Sequence, residues 1–308
     1  MKTKSILVLT SFLIFLGILI YFYLFFGTNS GHIISQVRLP RLMLTFLTGF
    51  ILAGVGYTFQ IMLNNPLAEP YILGISSGAA FGSILAGITG MFLLMPVFGF
   101  AGALLTMMLV WYLSHIGGFF NNTKLLLSGI IIGMFFSALI SLMMYFNQQD
   151  IGNIINVLMG NLGRIFSNNE WKVFVAVFVI SILLMIWLFT LSNRLSILTT
   201  GDLIAGSLGI DVKKMRRKIF IISSVLTGIT VAYAGIIGFV GLIVPHLVRM
   251  IFGGNTKFGL VISAFGGAAL LILCDFIAMN IASIEIPVGI ITAFLGCPFF
   301  ILVMAKRK

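Results

Sequence analysis

Residues 218–249 read KIFIISSVLTGITVAYAGIIGFVGLIVPHLVR, and the division of this run decides the fold. Thirty uncharged residues separate Lys218 from Arg249. As one helix they would extend about 45 Å, at about 1.5 Å per residue. A bilayer core is about 30 Å thick and is crossed by about 20 residues. The run is too long for one crossing and short for two. Charge decides between them. Lys2 and Lys4 place one end of the chain on the cytoplasmic side, and Lys306, Arg307 and Lys308 place the other end there. Two inner termini need an even number of crossings, so the run must cross twice. Gly235, Gly238 and Gly241 supply the break, and the short second half carries Pro245. Irregular backbone at membrane depth is tolerated where protein or a cavity surrounds it.

The rest of the chain agrees with a membrane protein. Of 308 residues, 60% are hydrophobic and 8% charged, against about 25% charged in a soluble domain. A soluble globule would lack the polar side chains to cover its surface. Disorder is excluded as well, because disordered chains are poor in large apolar residues. Apolar runs occupy 5–26, 40–63, 71–90, 92–115, 124–146, 171–191, 216–236, 238–252, 258–279 and 286–305. The first is longer than the ~7–15-residue core of a signal peptide and reads as a retained helix. The expectation is an all-α membrane protein with about ten transmembrane helices, both termini cytoplasmic, and one polytopic domain over 1–308.

The net charge of +11 would suggest nucleic acid in a soluble protein. Here the cations fall between apolar runs, and ten spans sort fourteen of them inside against four outside. That is a strong positive-inside bias. The outer four are Arg38, Arg41, Arg164 and Lys172. No nucleic-acid role follows.

Four strings stand out. Asn64-Asn65-Pro66-Leu67-Ala68-Glu69-Pro70 puts two prolines four residues apart, which a helix interior does not accept. It reads as a shaped turn on the inner side. Thr199 to Gly209 shows capping-box spacing at Thr199 and Asp202, one apolar face at Leu203, Ile204 and Leu208, and a stop signal at Gly209. Such a short helix could lie on the membrane surface or dock in a groove of a soluble partner, and spacing alone weights the two equally. Gly238 to Arg249 contains Pro245-His246, a histidine without a carboxylate or second histidine nearby in sequence. Arg38-Leu39-Pro40-Arg41 opens the second span, with its arginines on one face if helical. It fits either snorkelling to lipid phosphate or docking of an acidic partner. Small residues at Gly74, Gly78 and Gly82, and at Gly129 and Gly133, suit tight packing within the chain.

Absences narrow the function. There is no GxxxxGK[ST], HExxH or GxSxG, so no P-loop, zinc-protease or hydrolase motif, and no catalytic residue or metal ligand is assigned. Asp275 is the only acid clearly inside a span, thin support for an ion-coupled carrier. Cys274 and Cys297 lie in apolar stretches and read as small hydrophobes.

Together these strings resemble the permease family of ABC importers for iron–siderophore complexes, haem and cobalamin. The resemblance runs along nearly the whole chain. It includes Arg38-Leu-Pro-Arg41, then Gln60 through Asn65-Pro66-Leu67-Ala68 to Leu73-Gly74-Ile75-Ser76-Ser77-Gly78-Ala79, and Leu125-Leu126-Leu127-Ser128-Gly129. Ala205-Gly206-Ser207-Leu208-Gly209, Gly238 to Arg249, and Asp275 with Glu285-Ile286-Pro287-Val288-Gly289 and Gly296-Cys297-Pro298-Phe299-Phe300 complete it.

The resemblance implies ten helices per subunit and a second permease copy or paralogue. It also implies two cytoplasmic ATPase subunits using ATP–Mg, an extracytoplasmic substrate-binding (lipo)protein, and a place in the bacterial cell membrane. It makes Thr200, Asp202, Leu203, Ala205, Gly206, Leu208 and Gly209 the ATPase-coupling segment, Arg38 and Arg41 docking points for the binding protein, and Asn122 and Thr123 the cytoplasmic gate. Asn65, Pro66, Pro70, Pro245 and His246 become structural turn positions. No cofactor is bound by the chain itself, and it is not an enzyme. Iron–siderophore is the first expectation for the substrate because that branch is the commonest, with haem or cobalamin as alternatives. An ion-coupled secondary transporter working without an ATPase is the other functional class. Two departures limit transfer: Ile277-Ala278-Met279-Asn280 lacks an arginine common in the family, and Asn122 stands in place of a small hydroxyl.

Overall fold

The computed structural model describes residues 2–27, 30–115, 122–252 and 256–306, and among them it is entirely helical. Helix α1 (Lys2–Phe25) is followed by α2 (Gly31–Ile33), which runs through a π turn (Ile34–Arg38) into α3 (Leu39–Met62). Pro40 sits in the first turn of α3, where its missing N–H costs nothing. After a 3₁₀ turn (Pro70–Leu73) come α4 (Ile75–Ile88), α5 (Met95–Ser114), α6 (Asn122–Phe146) and the short α7 (Ile151–Met159). Helix α8 (Asn168–Thr190) leads through α9 (Ser192–Leu198) and α10 (Asp202–Ser207) to α11 (Val212–Ala234). Then follow α12 (Val240–Phe252), α13 (Thr256–Asn280) and α14 (Val288–Lys306).

Among the described residues, six helices are long and apolar enough to cross a membrane, and four shorter apolar ones accompany them. Burial sorts the long ones into an inner and an outer set. The α3 window is 89% buried and the α11 window 72%, whereas α5, α6 and α8 are 28%, 28% and 22% buried. Helix α3 is the centre, packed on α13, α11 and α12. The outer set exposes large apolar side chains such as Tyr112, Phe135 and Leu183. Hydrocarbon solvates such a surface as well as protein does, so it is stable in lipid and not in water.

Backbone approach explains the small residues. Gly74 meets the backbone of Gly129 and Gly133, Gly78 that of Gly102, and Gly82 that of Phe98. The two glycine ridges of the sequence thus meet each other and α5, inside one chain. A Cβ on Gly56 would overlap the Gly241 carbonyl, which locks α3 against α12.

The run 218–249 is divided as its length requires. Helix α11 stops at Ala234, Gly235 turns the chain with φ +73, Phe239 adds φ +70, and α12 begins at Val240. Helices α4 and α12 hold 14 and 13 residues. At ~1.5 Å per residue they rise about 21 and 20 Å, less than the about 30 Å of a bilayer core.

Candidate functional site

The first candidate lies where α1, α3 and α13 meet. Arg41 is 6% exposed and Asp275 fully buried. Arg41 Nε donates to Asp275 Oδ2 at 3.0 Å and Nη2 to Oδ1 at 2.8 Å, the two-pronged geometry that suits guanidinium and carboxylate. Tyr23 Oη (2.5 Å) and Thr45 Oγ1 (3.1 Å) also donate to Asp275. The remaining arm, Nη1, reaches Glu285 at 2.8 Å, whose side chain is 59% exposed. Arg38 Nη1 donates to the carbonyls of Tyr23 and Leu24 at 3.2 and 3.0 Å, satisfying oxygens in the last turn of α1.

This corrects one expectation. Arg38 and Arg41 do not form a pair of exposed docking charges. Arg41 is an internal cation, paired through both oxygens of the buried Asp275. Arg38 alone keeps partial exposure.

The second candidate joins the turn 64–70 to the break before α12. Asn65 Oδ1 accepts the Leu67 amide at 2.9 Å and Asn65 O the Ala68 amide at 3.1 Å, an Asx turn carrying the chain through Pro66 to Pro70, which opens the 3₁₀ turn. Beyond it, Glu69 Oε1 accepts the Phe239 amide at 2.7 Å and Tyr71 Oη the Ile237 amide at 3.1 Å. Gln60 Nε2 donates to Gly241 O at 3.0 Å, and Arg249 donates to Gln60 Oε1. Pro245 lies inside α12, and His246 packs edge-on to Phe299 of α14 with Phe300 beside it. Sequence reading gave Pro70 and His246 a structural role, quoted Gln60 and Glu69 within their strings without assigning them one, and did not single out Tyr71. Their signal was an acid and a tyrosine in a turn otherwise read as shape alone.

The third candidate is α10. Leu203 is 91% exposed and Leu208 62%, while Ala205 is buried. Gly209, with φ +82, closes the helix: Gly209 N bonds Gly206 O and Ile210 N bonds Ala205 O, the paired bonds of a Schellman stop. The capping-box reading of Thr199 and Asp202 does not hold. Gly201 is the N-cap and offers no side chain, Thr199 donates to Ser196 O, and Asp202 pairs with Arg216 at 2.8 Å. Thr200 likewise turns back, to Ile197 O. Asp211 caps α11 through the Lys214 amide, which together with the Lys214 ammonium holds its carboxyl below the usual range. Asn122 and Thr123 open α6, and the Asn122 side chain lies outside the described residues.

Sequence reading also left Arg164 without a use. It pairs with Glu170 at 2.8 Å and borders a cavity of about 420 Å³ between α4, α7, α8 and the end of α11.

The described residues thus form a bundle of apolar helices with a buried ion pair at Arg41 and Asp275 and a short helix that projects bare leucines, a build that fits a membrane protein. The chain belongs to the FecCD transport family, whose profile matches residues 5–306. It is similar to the vitamin B12 import system permease protein BtuC of Vibrio parahaemolyticus, 36% identical over 89% of this chain and 83% of that one. It is 35% identical to the molybdate import system permease protein MolB of Haemophilus influenzae (90% and 82% covered). It is also 35% identical to a "probable iron chelatin transport system permease protein" of Helicobacter pylori (91% and 85% covered). A solved inward-facing conformation of a metal-chelate type ABC transporter superposes with TM-score 0.86 at 32% identity, over 97% of this chain and 99% of that one. The chain is therefore a multi-pass permease of the ABC importer class.

Proposed function

We propose that this permease imports a metal chelate, an iron–siderophore complex first, across a bacterial cytoplasmic membrane by alternating access. A separate ATPase pair drives it, and an extracytoplasmic binding protein delivers the substrate. In this reading ten helices cross the membrane, both termini are cytoplasmic, and a second copy or paralogue completes the pathway. The observation that carries the reading is α10. Leu203 and Leu208 stand bare, and Lys213, Lys214 and Arg217 follow in the first turns of α11. Exposed leucines held on a rigidly closed helix are what a groove of a partner would take up. The proposed coupling segment comprises Thr200, Asp202, Leu203, Ala205, Gly206, Leu208 and Gly209, with Leu203 and Leu208 on its surface and buried Ala205 holding it to the bundle; Arg38 is offered to the binding protein, and Asn122 and Thr123 stand at the inner gate.

The substrate is argued from likeness. Relatives of nearly equal identity bear the names of B12, molybdate and iron chelatin systems. The metal-chelate transporter that matches along almost the whole chain supports a chelate. The ion-coupled alternative draws no support from Asp275, because Arg41 and Tyr23 already hold both its oxygens. Co-purification of the permease with its ATPase, followed by hydrolysis assays with loaded binding protein, tests the proposal. Loaded binding protein should stimulate hydrolysis several-fold. A permease that retains no ATPase at any salt concentration contradicts the reading.

A further inference from the structure

The break before α12 carries two amide groups, Ile237 and Phe239, that its own side chains cannot satisfy, whereas Val240 N and Leu242 N find the carbonyls of Gly238 and Phe239. Every helix leaves its first N–H groups without internal partners, and a side-chain acceptor just before the helix usually takes one. Gly235, Ile236, Ile237, Gly238 and Phe239 carry no such acceptor. The acceptors arrive instead from the connection that follows α3, about 170 positions away in sequence. Glu69 Oε1 takes the Phe239 amide (|i−j| 170) and Tyr71 Oη the Ile237 amide.

The last turn of α3 holds the helix further along. Gln60 bridges Gly241 at its start and Arg249 one turn from its end. Phe239 itself sits at φ +70, a backbone conformation that L residues adopt at a cost. Its ring lies on Gly296 of α14, where any Cβ would overlap it. The break is thus fixed from two sides, by the Glu69 carboxylate on the amide and by α14 on the ring.

We propose that Glu69 is a positioning residue for transport: by holding the Phe239 amide it ties the half-helix α12, and through the Phe239 ring α14, to the connection that follows α3. A displacement of that connection then moves α12 and α14 together, without stretching any regular helix. The inference rests on the importer reading above and adds the joint through which it works. Glu69 touches no substrate in this scheme.

The test uses the assembled complex of permease, ATPase and binding protein, as wild type, E69A and E69Q. Hydrogen exchange over 236–244 reads the joint directly, and ATP-driven uptake of a ferric hydroxamate siderophore into proteoliposomes reads its consequence. E69A removes the acceptor, so exchange at the Phe239 amide should rise on the order of tenfold or more. Uptake should fall about tenfold, and ATP hydrolysed per substrate should rise, since losing a hydrogen bond of ~1–1.5 kcal/mol is about tenfold in an equilibrium. E69Q keeps an acceptor oxygen and should recover most of both. A purely structural residue would lower the yield of complex and leave hydrolysis per substrate unchanged. Wild-type exchange in E69A, wild-type uptake despite faster exchange, or E69Q failing as fully as E69A would each overturn the proposal. Should E69A not assemble, E69M, which keeps the bulk and removes the acceptor, replaces it, and wild-type exchange together with wild-type uptake in E69M is equally fatal. The importer reading fails separately, by absence of ATP-driven uptake in the wild-type complex, while the exchange result stands on its own.

Discussion

Arg41 and Asp275, 234 positions apart, face each other as a two-pronged ion pair at 3.0 and 2.8 Å. The pair binds the outer half of α3 to α13, the helix it packs against most extensively, and Tyr23 brings α1 into the same knot. Removing one partner of a buried pair leaves an uncompensated charge, at a cost of about 3–5 kcal/mol. Arg41→Ala should therefore lower the melting temperature of the detergent-solubilised permease markedly, and Asp275→Asn should do so less. A melting curve for Arg41→Ala that overlays the wild type would contradict the internal role.

Arg38 carries the docking proposal alone. Arg38→Glu should weaken binding-protein association most at low salt, with the deficit shrinking as salt rises, because a surface charge acts mainly on the association rate and is screened by salt. Surface plasmon resonance at two ionic strengths checks this. Since Arg38 also holds the Tyr23 and Leu24 carbonyls, Arg38→Lys serves as the control that keeps the charge.

Leu208→Asp should leave the fold intact, because the side chain is 62% exposed, and should uncouple ATP hydrolysis from transport. The comparison is hydrolysis rate against uptake in the same vesicles. Unaltered coupling in this variant removes α10 from the docking surface.

Gly56→Ala places a methyl group against the Gly241 carbonyl. Overpacking of this kind costs roughly 1–3 kcal/mol. A drop in thermal stability is expected, with Gly87→Ala as the tolerated comparison, since that Cβ meets only the tip of Met95 at 3.7 Å.

Much of this architecture is legible in residues taken singly. The run 218–249 falls into two helices, and Gly235 breaks it where the sequence places the break. Glycine ridges announce where backbones touch. The Arg41–Asp275 pair is different. Each residue has a local reading, interfacial arginine and isolated acid, and nothing in the intervening 233 residues says that the two meet. Only the cost of a buried acid without a cation could have suggested it. Capping shows the converse failure. Thr199 and Asp202 have the right spacing, yet Gly201 with φ +104 starts α10 and leaves both side chains elsewhere. Ser167 and Glu170, with the same kind of spacing, form the capping box that α8 uses. Spacing identifies candidates, and the backbone path into the helix chooses among them.

The most direct measurement of the central claim is uptake of a radiolabelled ferric siderophore into proteoliposomes. The vesicles hold the permease with its ATPase, with loaded binding protein outside and ATP inside. Uptake that requires ATP, the binding protein and a hydrolysis-competent ATPase is the predicted result. Uptake by the permease alone, driven by a proton or sodium gradient and indifferent to ATP, would contradict it.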